Sequence, residues 1–350
     1  MRKKLIYLSI LPIFLASCEE YYTPKIDTVA GQLVVEAVIT NDPSQNFVHL
    51  TKTSSFYDKI PSEAVSGARI ELVEINGDVI EGAESTSGYF NFNTIPVIGK
   101  DYMLRIFINN DIYESEVVTM PPMPSIIDFY TGHIEKKEYI TDGYGVPYAN
   151  VVIGREFYID APAKDSLANY RFISKAVLEW VYIPHTMSGP PPPPVYGWQA
   201  HTSNDLINIA GPKKFSQTGK IEKQPIMFFP YDAHIALLPD TTTFLGWIVI
   251  INQYGTSRGS FEYHEKLNSQ FAADGSLFDP IQTQIYGNIT CKTDSAKKAF
   301  GYFDLNSYRQ YRYFLFLYSP DGAIKLRQIF RYPSIPDSGS TVGIPPDWWE

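Results

Sequence analysis

From residue 31 to 119 the apolar and polar positions alternate in short runs, the period-two pattern of half-buried strands. Residues 32–40 (QLVVEAVIT) are rich in β-branched side chains. Across 47–53, Phe47, His49 and Thr51 alternate with Val48, Leu50 and Lys52. Residues 68–75 read as a third strand, and Asn76-Gly77 follows, a dipeptide that accepts the positive φ of a two-residue hairpin. Strands at 88–93 and 101–108 come next. In the latter, Tyr102, Leu104, Ile106 and Ile108 share one face and Arg105 lies on the other. Asn109-Asn110-Asp111 predicts a turn into 112–119. About seven strands in about ninety residues, with no competing helical period, predict a β-sandwich of immunoglobulin or transthyretin type over 31–119.

Met120-Pro121-Pro122-Met123-Pro124 interrupts the pattern. Proline cannot continue a central strand and favours stiff, extended chain, so 120–125 reads as a linker between two domains. Beyond it, a larger β-rich, sandwich-like domain is expected over 126–350. Its strands are predicted at 126–134, 151–159, 170–183, 243–254, 285–289, 299–304, 311–318 and 323–331. Asp142-Gly143, Gly145 and Pro147 mark a turn, as does Pro320-Asp321-Gly322. The proline run at 190–194 reads as a rigid loop. One helix is predicted near 260–273, its core at 261–272. Ser260 is placed as its cap, Glu262 in its first turn, and Phe261, Leu267 and Phe271 on one face. The fold class is therefore all-β with one short helix.

The N-terminus is organised differently. Arg2, Lys3 and Lys4 precede an apolar run of about eleven residues and then small side chains, the layout of a signal peptide over 1–17. The run is too short for a membrane helix, which needs about twenty residues. Leu15-Ala16-Ser17-Cys18 resembles the bacterial lipobox, in which the cysteine is acylated and becomes the new N-terminus. Residues 18–30 then read as a lipidated tether. Glu19-Glu20 is similar to the surface-export signals of Bacteroidota lipoproteins. Removing the three basic residues of the signal takes the formal charge from −9 to −12. That balance excludes the phosphate neutralisation nucleic acid requires, and leaves acyl chains as the means of membrane attachment. If Cys18 carries lipid, Cys291 is left with no partner within the chain.

Candidate chemistry is sparse. Gly255-Thr256-Ser257-Arg258-Gly259 matches G-x-S-x-G between a predicted strand and the predicted helix, which would make Ser257 a nucleophile. The alternating α/β pattern of that fold is missing. The histidine expected last in the order Ser, acid, His has only His264 to represent it. None of the six histidines forms a metal-binding pair, Asp232-x-His234 reads as a surface hydrogen bond, and Asp274-Gly275-Ser276 with Asp279 lacks calcium-loop spacing. No cofactor or metal is expected. Tyr196 and Trp198, beside the proline loop, are candidate ligand-binding aromatics, and Trp348-Trp349 is expected to dock on the body or on a partner.

Several segments together carry a resemblance: Leu33-Val34-Val35-Glu36 with Ile39-Thr40, Val65-Ser66-Gly67-Ala68, Gly88-Tyr89-Phe90 and Tyr102-x-Leu104-x-Ile106. Met120-Pro121-Pro122, Gly287-Asn288-Ile289 and Gly301-Tyr302-Phe303 extend it into the second half. With the lipobox, the ordered set resembles the Bacteroidota lipoproteins of domain-of-unknown-function family 4249. The cysteine pair often present before the C-terminal Pro-x-Trp in that family is replaced here by Asp337-Ser338-Gly339-Ser340. The resemblance implies an outer-membrane lipoprotein, often encoded beside a TonB-dependent receptor, and no catalytic residue. The expected function is thus a non-catalytic accessory partner of a TonB-dependent transporter or another outer-membrane barrel. The alternatives are a surface binder of glycan or peptide, and a serine hydrolase at Ser257.

Overall fold

The structure, a computed structural model, describes residues 31–54, 62–162, 169–182, 189–190, 195–202, 207–211, 219–230, 242–271, 284–316, 326–328 and 340–342. Residues 1–30 with the expected signal peptide, Cys18 and tether, residues 191–194, Asp232, His234, 274–279, 320–322 with their expected turn, and Trp348-Trp349 lie outside them. The strands in chain order are β1 Leu33–Thr40, β2 Phe47–Lys52, β3 Arg69–Glu74, β4 Val79–Glu81, β5 Ala83–Thr86, β6 Tyr89–Asn91, β7 Asp101–Ile108, β8 Asp111–Ser115, β9 Val118–Thr119 and β10 Asp128–Thr141. They continue with β11 Pro147–Pro162, β12 Tyr170–Tyr182, β13 Val195–Thr202, β14 Asn208–Ala210, β15 Lys220–Pro230, β16 Thr242–Gly255, β17 Ile289–Cys291, β18 Ala299–Phe316, β19 Leu326–Gln328 and β20 Ser340–Val342. One α-helix is described, α1 Arg258–Phe271. The described residues are all-β with a single α-helix, as the alternation implies.

β18 organises the sheets. Its first half pairs in parallel with β1, from Leu33↔Ala299 to Thr40↔Asn306. Its second half pairs antiparallel with β16, from Gly255↔Ser307 to Gly246↔Phe316. One mixed sheet results, in the order β20-β13-β12-β16-β18-β1-β2-β6-β5. A second sheet, β17-β8-β7-β3-β4, closes on its β1–β2–β6 end, and the two inner faces share one core. Val35, Ile39, Val48, Leu50 and Phe90 meet Ile70, Leu72, Tyr102, Leu104 and Ile106 there, all fully or nearly fully buried. Ile289 and Cys291 of β17 and Phe303 and Leu305 of β18 complete this core, so it draws on 289–305 as well as on 31–119. The turn after β3 differs from the two-residue hairpin: three residues, 75–77, lie between Glu74 and Asp78, and Asn76 takes φ +62° while Gly77 takes no positive φ. Gly77 N–H donates to Glu74 C=O at 3.0 Å, and Glu74 N–H donates to Asp78 C=O at 2.9 Å.

The second core lies between β12 and β16 of the mixed sheet and a three-stranded sheet, β10-β11-β15. Phe157, Ile159, Met227 and Phe229 from the small sheet pack on Tyr170, Phe172, Val249 and Ile251. The Phe129 ring stacks on Tyr313 with centroids 3.8 Å apart. The 120–125 stretch is closely packed. Met120 is fully buried in the first core, and Gln253 Nε2 donates to Pro124 C=O at 2.7 Å. Gly255 lies so near Pro122 and Pro124 that no side chain would fit there.

Candidate functional site

The G-x-S-x-G segment leaves β16 and enters α1. Ser257 Oγ accepts from Ser260 N–H at 3.1 Å, and Ser257 C=O accepts from Phe261 N–H at 3.0 Å. That is the geometry of a helix N-cap, which satisfies amide groups that have no partner within the helix. The cap is therefore Ser257, three residues before the serine the sequence suggests, and the helix starts at Arg258. Arg258 pairs with Glu262 one turn on, at 2.6 Å. The buried helix face also differs from expectation. Ser260, Phe261 and His264 are buried, whereas Phe271 is 63% exposed.

Ser260 sits in the first turn of α1, where its hydroxyl donates to Asp304 Oδ1 of β18. His264, one turn later, places Nε2 at 3.5 Å from Asp304 Oδ2, and Arg171 of β12 places Nη1 at 3.3 Å from the same oxygen. With Nδ1 protonated, the imidazole donates to the Ser260 carbonyl at 2.9 Å. Tyr263 stacks on Tyr302 at 4.6 Å beside the group. Burial pushes the His264 imidazole below its ordinary value, against the opposing pull of Asp304, and raises the Tyr302 phenol.

Serine, histidine and aspartate thus meet, but not as a nucleophilic relay. That mechanism needs the serine proton handed to histidine, with the acid orienting the histidine's far side. Here the serine hydroxyl donates to the carboxylate; its oxygen lies 3.4 Å from His264 Nδ1, but with that nitrogen's proton given to the Ser260 carbonyl it offers the hydroxyl no acceptor, and Ser260 has no solvent exposure. The arrangement is a buried polar tie that fastens α1 to β18 and β12. Its one signal in the sequence is Asp304, a charged residue on a strand face between Phe303 and Leu305.

A second feature lies at the far end of the small sheet. β10 and β11 pair from Asp128↔Asp160 out to Thr141↔Pro147, but β15 joins β11 only from Gly154 onward. Among the described residues, 135–153 therefore form a two-stranded ribbon that extends by about 20 Å at the usual strand rise. Asp142 builds its tip. Its Oδ1 accepts from Tyr144 N–H at 2.9 Å and Val146 N–H at 2.8 Å, and Gly145 takes φ +82°. Tyr144 is 95% exposed, Tyr139 79%, Val146 57% and Tyr148 48%. At the base, Lys136 pairs with Glu156 at 2.8 Å and lies over the Phe228 ring. The sequence predicts the turn correctly, but places both strands short of the ribbon.

Tyr196 and Trp198 fall on β13, in register with Val181 and Glu179 of β12, and Trp198 also faces Thr341 of β20. They belong to a paired strand, apart from both α1 and the ribbon. Cys291 is a free, buried thiol on β17, with Sγ 3.4 Å from Thr293 Oγ1.

The profile of a family described as "Domain of unknown function (DUF4249)" matches residues 19–312, most of the chain. The chain belongs to the DUF4249 family. Comparison with curated proteins and with solved structures gave no match. The segments that carry the DUF4249 resemblance have packing roles in this fold. A side chain on Gly287 would run into the Gly301 carbonyl, and one on Gly301 into the Val35 carbonyl of β1. Gly301 also takes φ +87°, which disfavours any other residue. Between these two glycines, Asn288 Oδ1 accepts from Phe303 N–H at 2.9 Å and Asn288 Nδ2 donates to Phe303 C=O at 3.1 Å. The asparagine stands in for a strand neighbour and joins β17 to the β18 seam. Gly88 at φ +75° and Gly67 at φ +70° serve turns whose N–H groups bond Glu84.

Proposed function

We propose that this DUF4249 protein is a non-catalytic lipoprotein of the outer membrane, anchored through acylated Cys18. In this reading it acts as an accessory partner of a TonB-dependent transporter or another outer-membrane barrel. The observation that carries the partner role is the ribbon. A hairpin of two strands is marginal alone in water, and three tyrosines with a valine at its tip form the amphipathic surface that protein contacts favour. Lipidation would confine the chain to a bilayer plane, where its effective concentration near a membrane partner is high and modest contacts suffice. The helix-cap duty of Ser257 and the buried setting of Ser260 support a role without catalysis.

The test is metabolic labelling with an alkyne fatty acid, followed by fractionation. The wild type is expected to carry label in the outer-membrane fraction and to co-purify with a barrel protein. Cys18→Ser should lose the label and leave the membrane. An unlabelled wild type in the soluble fraction refutes the anchor, and repeated recovery of the labelled protein alone refutes the partner.

A further inference from the structure

The sandwich built on β1, β2, β6 and β7 has two poles. Gly31, where the tether joins, lies at one and donates its N–H to the Thr53 carbonyl at 2.8 Å. The turn between β7 and β8 shares that pole, since Lys297 pairs with Asp111 and Lys298 N–H donates to Gln32 Oε1. β1 runs away from it, β2 returns, and β6 leads the chain out again. At the far pole Asn46 Nδ2 donates to the Thr94 carbonyl at 2.9 Å, and residues 94–100 loop over to β7. Three aliphatic side chains of this loop, Ile95, Val97 and Ile98, are each more than half exposed. Much of its backbone is already paired. Val97 N–H donates to the Tyr102 hydroxyl at 2.9 Å, Gly99 N–H to the Met120 carbonyl at 2.9 Å and Lys100 N–H to the Val97 carbonyl at 3.1 Å. Pro96 is buried and has no N–H to satisfy.

We infer that this loop dips into the lipid surface that holds Cys18 and fixes which way the body faces. This role rests on the acylated anchor and not on the ribbon. Acyl chains confine the protein to the bilayer but leave its orientation free. Residues 19–30 can extend to about 40 Å, against about 26 Å for the eight residues of β1, so the tether lets either pole meet the bilayer. The described surface separates the two poles. Around Gly31 it carries the exposed ion pairs Lys52–Glu63 and Lys297–Asp111, which hydrocarbon would strip of water. At the far pole the aliphatic loop leads. Lys100, paired with Glu74, follows it on a long side chain that keeps its ammonium among headgroups while the loop enters. Asp78 and Asp101 lie at the same pole, which limits entry to the loop tip. Hydrocarbon offers a backbone no partners, so a loop that enters it needs its N–H groups bonded beforehand. A protein partner could supply such bonds itself. The apolar area points the same way: three half-exposed aliphatic side chains amount to roughly 300 Å², well short of the about 800 Å² per partner of a standing protein interface. Added to an acyl anchor, that area is enough to orient the body.

The experiment places the full acylated chain in vesicles of phosphatidylethanolamine and phosphatidylglycerol, which are then floated. An environment-sensitive NBD fluorophore is attached at Val97→Cys or, at the opposite pole, at Asn110→Cys. Cys291 is buried, and the unsubstituted chain carried through the same labelling supplies the background. Nitroxide on the lipid acyl chains should quench the probe at position 97 at least about three-fold more than the probe at 110, and aqueous iodide should show the reverse order. Adding Ile95→Asp and Ile98→Asp should return the position-97 probe to water. A floated chain whose two probes respond alike, or whose position-97 probe is unmoved by the aspartates, overturns the inference and leaves the anchor standing. A position-97 probe shielded from both quenchers places a second copy or another part of the chain on the loop and also overturns it. A chain that fails to float defeats the anchor and the loop's role together.

Discussion

Asn288 offers the most direct test of how the seam is held. Its side chain is buried at 5% exposure and pairs both polar groups of Phe303. Asn288→Ala leaves an N–H and a C=O without those partners in the interior. A buried polar group left bare costs about 1–3 kcal/mol, so with some relaxation the pair is worth about 3 kcal/mol. That is a large share of the about 5–15 kcal/mol that holds a typical domain together. Asn288→Asp adds a sign test. The carboxylate retains an acceptor for Phe303 N–H but sets a second negative oxygen against the Phe303 carbonyl. Burial and that carbonyl raise its pKa above the unfolded value of about 3.9. The folded state then binds more protons than the unfolded one, so stability recovers as pH falls from the raised value towards about 3.9. Urea unfolding of the full chain, followed by circular dichroism at pH 7.5 and pH 5, measures both effects. A cost below about 0.5 kcal/mol for Asn288→Ala, or an Asp variant as stable as wild type at pH 7.5, refutes the reasoning.

Gly301→Ala should cost at least about 2 kcal/mol, because it combines φ +87° with a clash at the Val35 carbonyl; a neutral effect in the same urea assay contradicts the close approach of β1 and β18. Ser257→Ala should lose about 1 kcal/mol of helix capping and leave labelling by a serine-reactive fluorophosphonate unchanged; loss of labelling would restore Ser257 as a nucleophile. His264 is held neutral by burial, so the unfolded chain takes up its proton first, and stability should fall as pH drops below about 6.5. His264→Gln should flatten that part of the profile, and an unchanged slope assigns the acid sensitivity elsewhere.

The elements that follow one local period are the ones the sequence displays. β7 alternates Tyr102, Leu104 and Ile106 into the core, and Asn76-Gly77 lies in the turn between β3 and β4, with Asn76 at φ +62°. The β18 seam is invisible by the same logic. Parallel pairing of Leu33–Thr40 with residues 299–306 joins chain ends that share no local signal. The ribbon is under-read for a different reason. With no third strand beyond Gly154 among the described residues, one face need not be buried, and the alternation that marks a strand is lost. At the helix, a serine three residues before Ser260 meets the same capping rule, and only the hydrogen bond to Ser260 N–H decides between them. The meeting of Ser260, His264, Arg171 and Asp304 requires α1, β12 and β18 to be in place, so residue order alone does not reveal it.

The proposed partner role rests on the ribbon, and site-specific photo-crosslinking tests it in intact cells. A photoreactive benzophenone amino acid replaces Tyr144 at the ribbon tip, and in a control it replaces Glu265, exposed on α1. Irradiation should give an adduct between position 144 and an integral outer-membrane protein, and none at position 265. No adduct at 144, or the same adducts at both positions, contradicts the ribbon as the docking surface.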